Sequence, residues 1–125
     1  MHPFGQYKKR SESNDVTAAL QYLQVLENGK YIFWCDRQNS GKIFIPAGMG
    51  RHARMVRLSR EGTPDAYFIT LKGLFVFLEF KVGKNTLSQA QREFKVMIQA
   101  AGHQYWMVSD IREFEQKVKE LVGLK

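Results

Sequence analysis

An apolar run, Leu74-Phe75-Val76-Phe77-Leu78, breaks off in Glu79-Phe80-Lys81. Across a short turn at Lys72-Gly73 it follows a second strand-like run, Ala66 to Leu71, which is itself preceded by Gly62-Thr63-Pro64-Asp65. Two carboxylates and a lysine therefore stand at the ends of runs that otherwise read as buried strands. Charge at the mouth of a buried sheet is costly unless it is paired or holds a metal ion. Side chains alternate along a strand, so Glu79 and Lys81 leave one face together. Leu74, Val76, Leu78 and Phe80 face the other way, into a helix-packed core, while Phe75 and Phe77 precede Glu79 on its own face. A strand apolar on both faces until its last residues is a central strand that delivers polar groups to the end of a sheet.

Asp65 must share the face of Glu79 if the two are to act together. A strict two-residue turn at Lys72-Gly73 would pair Asp65 with Phe80 and put it on the wrong side. A three-residue loop, one bulge, or a kink at Pro64-Asp65 restores the parity. The pattern therefore predicts an irregular hairpin.

Around this hairpin the chain reads as one domain, residues 11–125, behind a basic and weakly ordered arm over residues 1–10. A first helix begins near Ser11 to Asp15, carries Val16, Ala19, Leu20, Leu23 and Leu26 on its inner face, and stops at Glu27-Asn28-Gly29. Glu12 lies one turn before Val16, on the inward side. Tyr31 to Cys35 and Lys42 to Ile45 read as two strands joined by the turn Gln38-Asn39-Ser40-Gly41. Ser88 and Gln91 form a capping box for a helix to Ala101, with Ala90, Phe94, Met97, Ile98 and Ala101 inside. Gln104 to Val108 is a further strand, and Asp110 with Glu113 opens a last helix with Ile111, Phe114, Val118 and Leu121 inside. The expected class is α/β (α+β), a mixed β-sheet flanked by helices in the order α-β-β-β-β-α-β-α.

The 125 residues carry 19 Lys and Arg against 12 Asp and Glu, a net charge of +7, which favours an anionic partner and nucleic acid first. The single cysteine, Cys35, excludes an internal disulfide and suits a reducing compartment. It reads as a buried, inert thiol. No apolar run is long enough to span a bilayer, and Lys8-Lys9-Arg10 is followed by no signal-peptide core, so the expected location is the cytoplasm. Nothing resembles a nucleotide-binding glycine loop, and a nucleotide cofactor is not expected.

Two carboxylates with a backbone carbonyl are hard ligands for Mg²⁺ or Mn²⁺, and a lysine two residues on can orient a water or stabilise developing charge. That combination serves phosphodiester hydrolysis. Arg51, Arg54, Arg57 and Arg60 are spaced by three, which on a regular strand scatters them over both faces; a loop or irregular strand lets several reach phosphates. Arg37, beyond an apolar strand, and Lys84, in the loop after Lys81, are further phosphate contacts. His52 and His103 have no partner at ligand spacing and read as structural. Trp34 and Trp106 read as core.

Gly62-Thr63-Pro64-Asp65, Glu79-Phe80-Lys81 and Leu87-Ser88-Gln89-Ala90-Gln91 together resemble the PD-(D/E)XK nuclease superfamily. More narrowly they resemble the virus-type replication-repair nuclease domain, VRR-NUC, in its short stand-alone phage form. The G-x-P-D, E-x-K and S-x-x-Q elements stand in the family's order, and the likeness covers roughly residues 11–120. It implies a restriction-endonuclease-like core and metal-dependent cleavage of DNA. Asp65, Glu79 and the Phe80 carbonyl would be metal ligands, Lys81 the catalytic lysine, and Glu12 a helix-borne acid reaching the metal directly or through water. Gln91 would hold Lys81 or a substrate phosphate, with Ser88 beside it at the DNA. The family's stand-alone members also imply a homodimer that cuts branched DNA such as four-way junctions, working in the host cytoplasm if phage-encoded. The chain departs from the Q-x-x-x-Y pattern of some wider relatives, because Lys95 stands four residues beyond Gln91. Two rivals are a non-catalytic DNA-binding or assembly module on the same fold, and a nickase or DNA-end nuclease of recombination or packaging.

Overall fold

The structure, a computed structural model, describes residues 12–38, 42–57, 59–81, 83 and 86–124; the side chains of Glu12, Ser13, Lys42, Ile43 and Arg57 lie outside that description, as does the expected arm over residues 1–10. The chain runs α1 (Glu12–Asn28), β1 (Ile32–Arg37), β2 (Lys42–Ile45), β3 (Arg54–Arg57), β4 (Ala66–Thr70), β5 (Phe75–Phe80), α2 (Gln89–Ala100), β6 (Gln104–Val108) and α3 (Ile111–Val122). This is a mixed α+β arrangement with one strand more than the sequence pattern suggests. The extra strand is β3, built from the arginine stretch.

Four strands form one sheet in the order β1-β4-β5-β6, with β5 and β6 parallel and the other neighbours antiparallel. The parallel pair needs a crossover, and α2 supplies it. β2 and β3 form a separate antiparallel pair. The two strands flanking residues 38–41 therefore do not pair with each other: β1 joins β4 and β2 joins β3.

α1 and α3 cover one face of the larger sheet. Val16, Ala19, Leu23 and Leu26 of α1 meet Phe114 and Val118 of α3 over Phe68, Val76, Leu78, Phe80 and Trp106, all buried. α3 starts where Asp110 Oδ1 accepts the Arg112 and Glu113 N–H groups, and it ends at Gly123 in the left-handed region, φ 80°. Trp106 stacks edge-on with Phe68 and Phe114, as a core residue should.

The second face is less covered. α2 touches it through Phe94, whose ring packs edge-on against Phe77 at 5.2 Å and against Tyr105 at 6.2 Å. No residue of α2 is fully buried; Ala90, Phe94 and Ile98 are half-buried, whereas Met97 and Ala101 are exposed. The expected five-residue stripe is thus only partly inward, because the helix lies over the β5–β6 half of the sheet alone. Trp34 is the other correction. It is 46% exposed, since β1 is an edge strand and the pairing of Trp34 with Ile69 sets it on the face that α1 does not cover. A bulge between Ile32 and Trp34 separates it from buried Ile32.

His103 is structural, with Nδ1 accepting the Phe75 N–H at 3.0 Å. Cys35 is half-buried beside α1, where Glu27 Oε1 accepts both its N–H at 3.0 Å and its thiol at 3.4 Å. Burial first, then the hydrogen bond and charge of Glu27, push the thiol up to about 12 from 9.0. The stability this contributes is present below pH 9.0, the value of an unperturbed thiol, and is lost as pH rises toward 12. The folded chain should therefore react with a disulfide reagent at pH 8 far more slowly than the unfolded chain, and Glu27→Gln should speed the reaction. Equal rates for folded and unfolded chain would contradict this environment.

Candidate functional site

The hairpin between β4 and β5 fixes the site. Its loop is three residues, Leu71-Lys72-Gly73: Thr70 N–H donates to the Leu74 carbonyl at 2.9 Å and Gly73 N–H to the Thr70 carbonyl at 3.0 Å. Gly73 takes the left-handed conformation that such a loop needs at its last position, φ 91°. The resulting register pairs Ala66 with Leu78 and Phe68 with Val76. One step further, Asp65 meets β5 at the two residues that flank Glu79, Leu78 and Phe80.

Asp65 is held from both neighbouring strands. Its N–H donates to the Leu78 carbonyl at 3.0 Å, and its own carbonyl accepts the Gln38 N–H at 2.8 Å. Its side chain reaches across to β5, where Oδ2 accepts the Phe80 N–H at 2.8 Å. Oδ1 takes no hydrogen bond among the described residues, which leaves it available to a ligand. Glu79 is only 3% exposed, the one buried charged residue among those described. Lys81 Nζ lies 3.9 Å from Glu79 Oε2 and is itself mostly enclosed, while its N–H donates to the Val108 carbonyl of β6 at 3.0 Å.

The turn before Asp65 is pinned to α2. Pro64 is fully buried, and Thr63 bonds the Arg60 carbonyl through both its N–H and its hydroxyl. Gly62 has φ 87°, and a Cβ there would stand 2.6 Å from the Ala90 carbonyl oxygen. Only glycine lets the turn approach α2 so closely. Between them lies a cleft of about 290 Å³ bordered by Arg60, Thr63, Glu93 and Phe94.

Ser88 and Gln91 form the expected capping box. Gln91 Oε1 accepts the Ser88 N–H at 2.8 Å, and Ser88 Oγ accepts the Gln91 N–H at 3.2 Å. No hydrogen bond joins Gln91 to Lys81 among the described residues, so its free amide NH₂ is what Gln91 can offer a phosphate.

The basic residues are less gathered than the four-arginine stretch suggests. β3 is a regular strand paired with β2, so the arginine stretch does not form the irregular segment that would let several of its charges converge. Arg51 and Arg54 are exposed on that hairpin, while Arg60 is exposed beside the Gly62 turn. Arg37 ends β1 opposite Ala66, one step from Asp65. Glu12 opens α1, but its side chain, that of Arg57 and the whole of Lys84 lie outside the described residues.

Tyr105 was not legible as a site residue. It sits on β6 opposite Phe77, on the face of Glu79, and is 6% exposed. Burial, then the charges of Glu79 and Asp65, and the pull of the Glu79 carboxylate on its proton, hold the phenol well above its ordinary range. The only sequence signal is its place in a short strand, two residues from Met107, with no motif around it.

Gly62 and Gly73 separate two effects. Both have positive φ, but a Cβ at Gly73 meets nothing within 4 Å. Gly73→Ala should lower stability by about 1 kcal/mol, the strain of the conformation. Gly62→Ala should lower it by roughly 2–4 kcal/mol, because the turn or α2 must also move. Urea unfolding of the two variants checks this; equal losses would show that the approach to Ala90 is not tight.

Comparison of the chain with protein-family models, curated proteins and solved structures finds no match.

Proposed function

We propose that this chain is a metal-dependent DNA endonuclease with a restriction-endonuclease-like core of the VRR-NUC type. The observation that carries the reading is that Asp65 is bonded to β5 on either side of Glu79, at the Leu78 carbonyl and the Phe80 N–H, with Lys81 beside Glu79 at 3.9 Å. A nearly buried carboxylate next to a second carboxylate and a lysine is a poor device for stability, since apolar residues would fill the same space at less cost. It is a useful device for holding a hard cation.

The donor set fits Mg²⁺ or Mn²⁺. Among the described residues no three His, Cys, Asp or Glu side chains converge. Magnesium does not need such a cage, because it commonly takes one or two protein carboxylates and completes its shell with water and substrate phosphate. Asp65 through Oδ1, Glu79 and the Phe80 carbonyl would hold it, and Glu12 is the candidate for an added acid. When bound, the ion would lower the pKa of a water and neutralise charge on the phosphate. The chain's own residues then have distinct tasks. Asp65 is kept in place by the Phe80 N–H, and the Lys81 ammonium offsets charge at the scissile phosphate. The Gln91 amide and Arg60 approach neighbouring phosphates, and the excess of positive charge draws the polyanion in. Edge strand β1, with Phe33 and Trp34 exposed, supports association with a second copy, as paired cuts in a branched substrate would require. Among the described residues no helix is long and apolar enough to cross a membrane.

The test is cleavage of linear, nicked, flapped and four-way DNA with Mg²⁺ or Mn²⁺. The native chain should cut a branched substrate, and chelation should stop it. Asp65→Ala, Glu79→Gln and Lys81→Ala should each lower the rate by about 100-fold or more while DNA is still bound. Binding by the native chain with no cleavage of any substrate would favour the non-catalytic module.

A further inference from the structure

Tyr105 presents a polar group that its surroundings do not require. The ring is packed under α2 against Phe94, at 6.2 Å between centroids, and a phenylalanine would fill the same space. Yet the residue carries a hydroxyl that is sealed from solvent and makes no hydrogen bond of ordinary length and angle among the described residues. A buried hydroxyl left so is destabilising, and native structures keep such groups where something else needs them. The parallel pairing of β5 and β6 sets Tyr105 beside Phe77 and Met107 beside Glu79 on a single face, and the Glu79 carboxylate lies close enough to pull on the hydroxyl's proton. The neighbouring charges that act on it are those of Glu79 and Asp65.

We propose that Tyr105 is a positioning residue whose hydroxyl hydrogen-bonds the Glu79 carboxylate when the site holds its divalent cation, orienting that carboxylate toward the ion. This rests on the assignment of Asp65 and Glu79 as cation ligands. Ligating carboxylates are themselves held by hydrogen bonds from a surrounding shell, and losing one such bond weakens metal binding by about 10–100-fold. The Lys81 ammonium also lies against Glu79, but at 3.9 Å it makes no close ionic hydrogen bond. Tyr105, on a strand and with its ring held by Phe94, can fix the carboxylate. The same hydroxyl explains why a tyrosine occupies a position that packing alone would give to an apolar residue.

The experiment is calorimetric titration of Mn²⁺ into the native chain, Tyr105→Phe and Glu79→Gln, with thermal melts in EDTA and in saturating Mn²⁺. Tyr105→Phe should melt in EDTA no lower than the native chain, since it only removes an unsatisfied hydroxyl. Its Mn²⁺ dissociation constant should rise about tenfold, and its Mn²⁺-induced rise in melting temperature should shrink accordingly. An unchanged dissociation constant in Tyr105→Phe, with binding lost in Glu79→Gln, overturns the role of Tyr105 and leaves the cation ligands standing. A lower melting temperature in EDTA with unchanged Mn²⁺ affinity assigns the hydroxyl to the fold and overturns it equally. No Mn²⁺ binding by the native chain, or native-like binding by Glu79→Gln, overturns the ligand assignment and this inference together.

Discussion

The hydrogen bond from the Phe80 N–H to Asp65 Oδ2 holds the two ends of the β4–β5 hairpin in one arrangement. The ladder is irregular at this end, because the Asp65 N–H donates to the carbonyl of Leu78, the residue already opposite Ala66. Pro64 has no N–H to give, and the Phe80 N–H turns instead to the Asp65 side chain. The ladder is thus closed by a carboxylate at the point where proline opens it. Asp65 is thereby bonded to the residues on either side of Glu79, which gathers the two acids at one end of the sheet. A loop one residue shorter would reverse the parity and send the two acids to opposite faces.

That arrangement sets like charges side by side, with Glu79 almost fully withdrawn from water. Lys81 offsets part of this, yet an ammonium at 3.9 Å makes no close ionic hydrogen bond. The core would lose nothing if the site were apolar, because Val76, Leu78 and Phe80 already anchor β5 on its other face. The withdrawn charge supports the proposal of a divalent cation at this site. This physical reason for a catalytic reading stands apart from any likeness of motifs.

Much of the frame was legible because it depends on local signals. The stripe of α1, the caps at Ser88 and Asp110, the β4–β5 hairpin and its odd loop all follow from periodicity, capping chemistry and parity. What was not legible depends on which elements find each other. The exposure of Trp34 follows from β1 ending up at an edge, which an apolar run cannot announce. Met97 and Ala101 were expected inside because periodicity gives a helix's apolar face but not how much of it a neighbour covers. Arg54 to Arg57 became a strand by pairing with Lys42 to Ile45, a partnership that outweighs their charge. Tyr105 gains its meaning from a parallel pairing across an intervening helix, so nothing within its own strand marks it.

The placement of the arginines separates attraction from positioning. Residues on the β2–β3 hairpin belong to a separate two-stranded sheet, not to the one that leads to Asp65 and Glu79. Such charges raise affinity for any polyanion but cannot register a particular phosphate against the two acids. Arg60 is different, because the turn that carries it is tied to α2 at Gly62 and to Asp65 through Thr63 and Pro64. Its reach is thereby coupled to the same close approach that sets the start of β4. If a phosphate is to be held in register with Glu79, the rigid elements that can do it are this turn, the first turn of α2 and Lys81. The rest of the positive charge acts at longer range, where salt screens it.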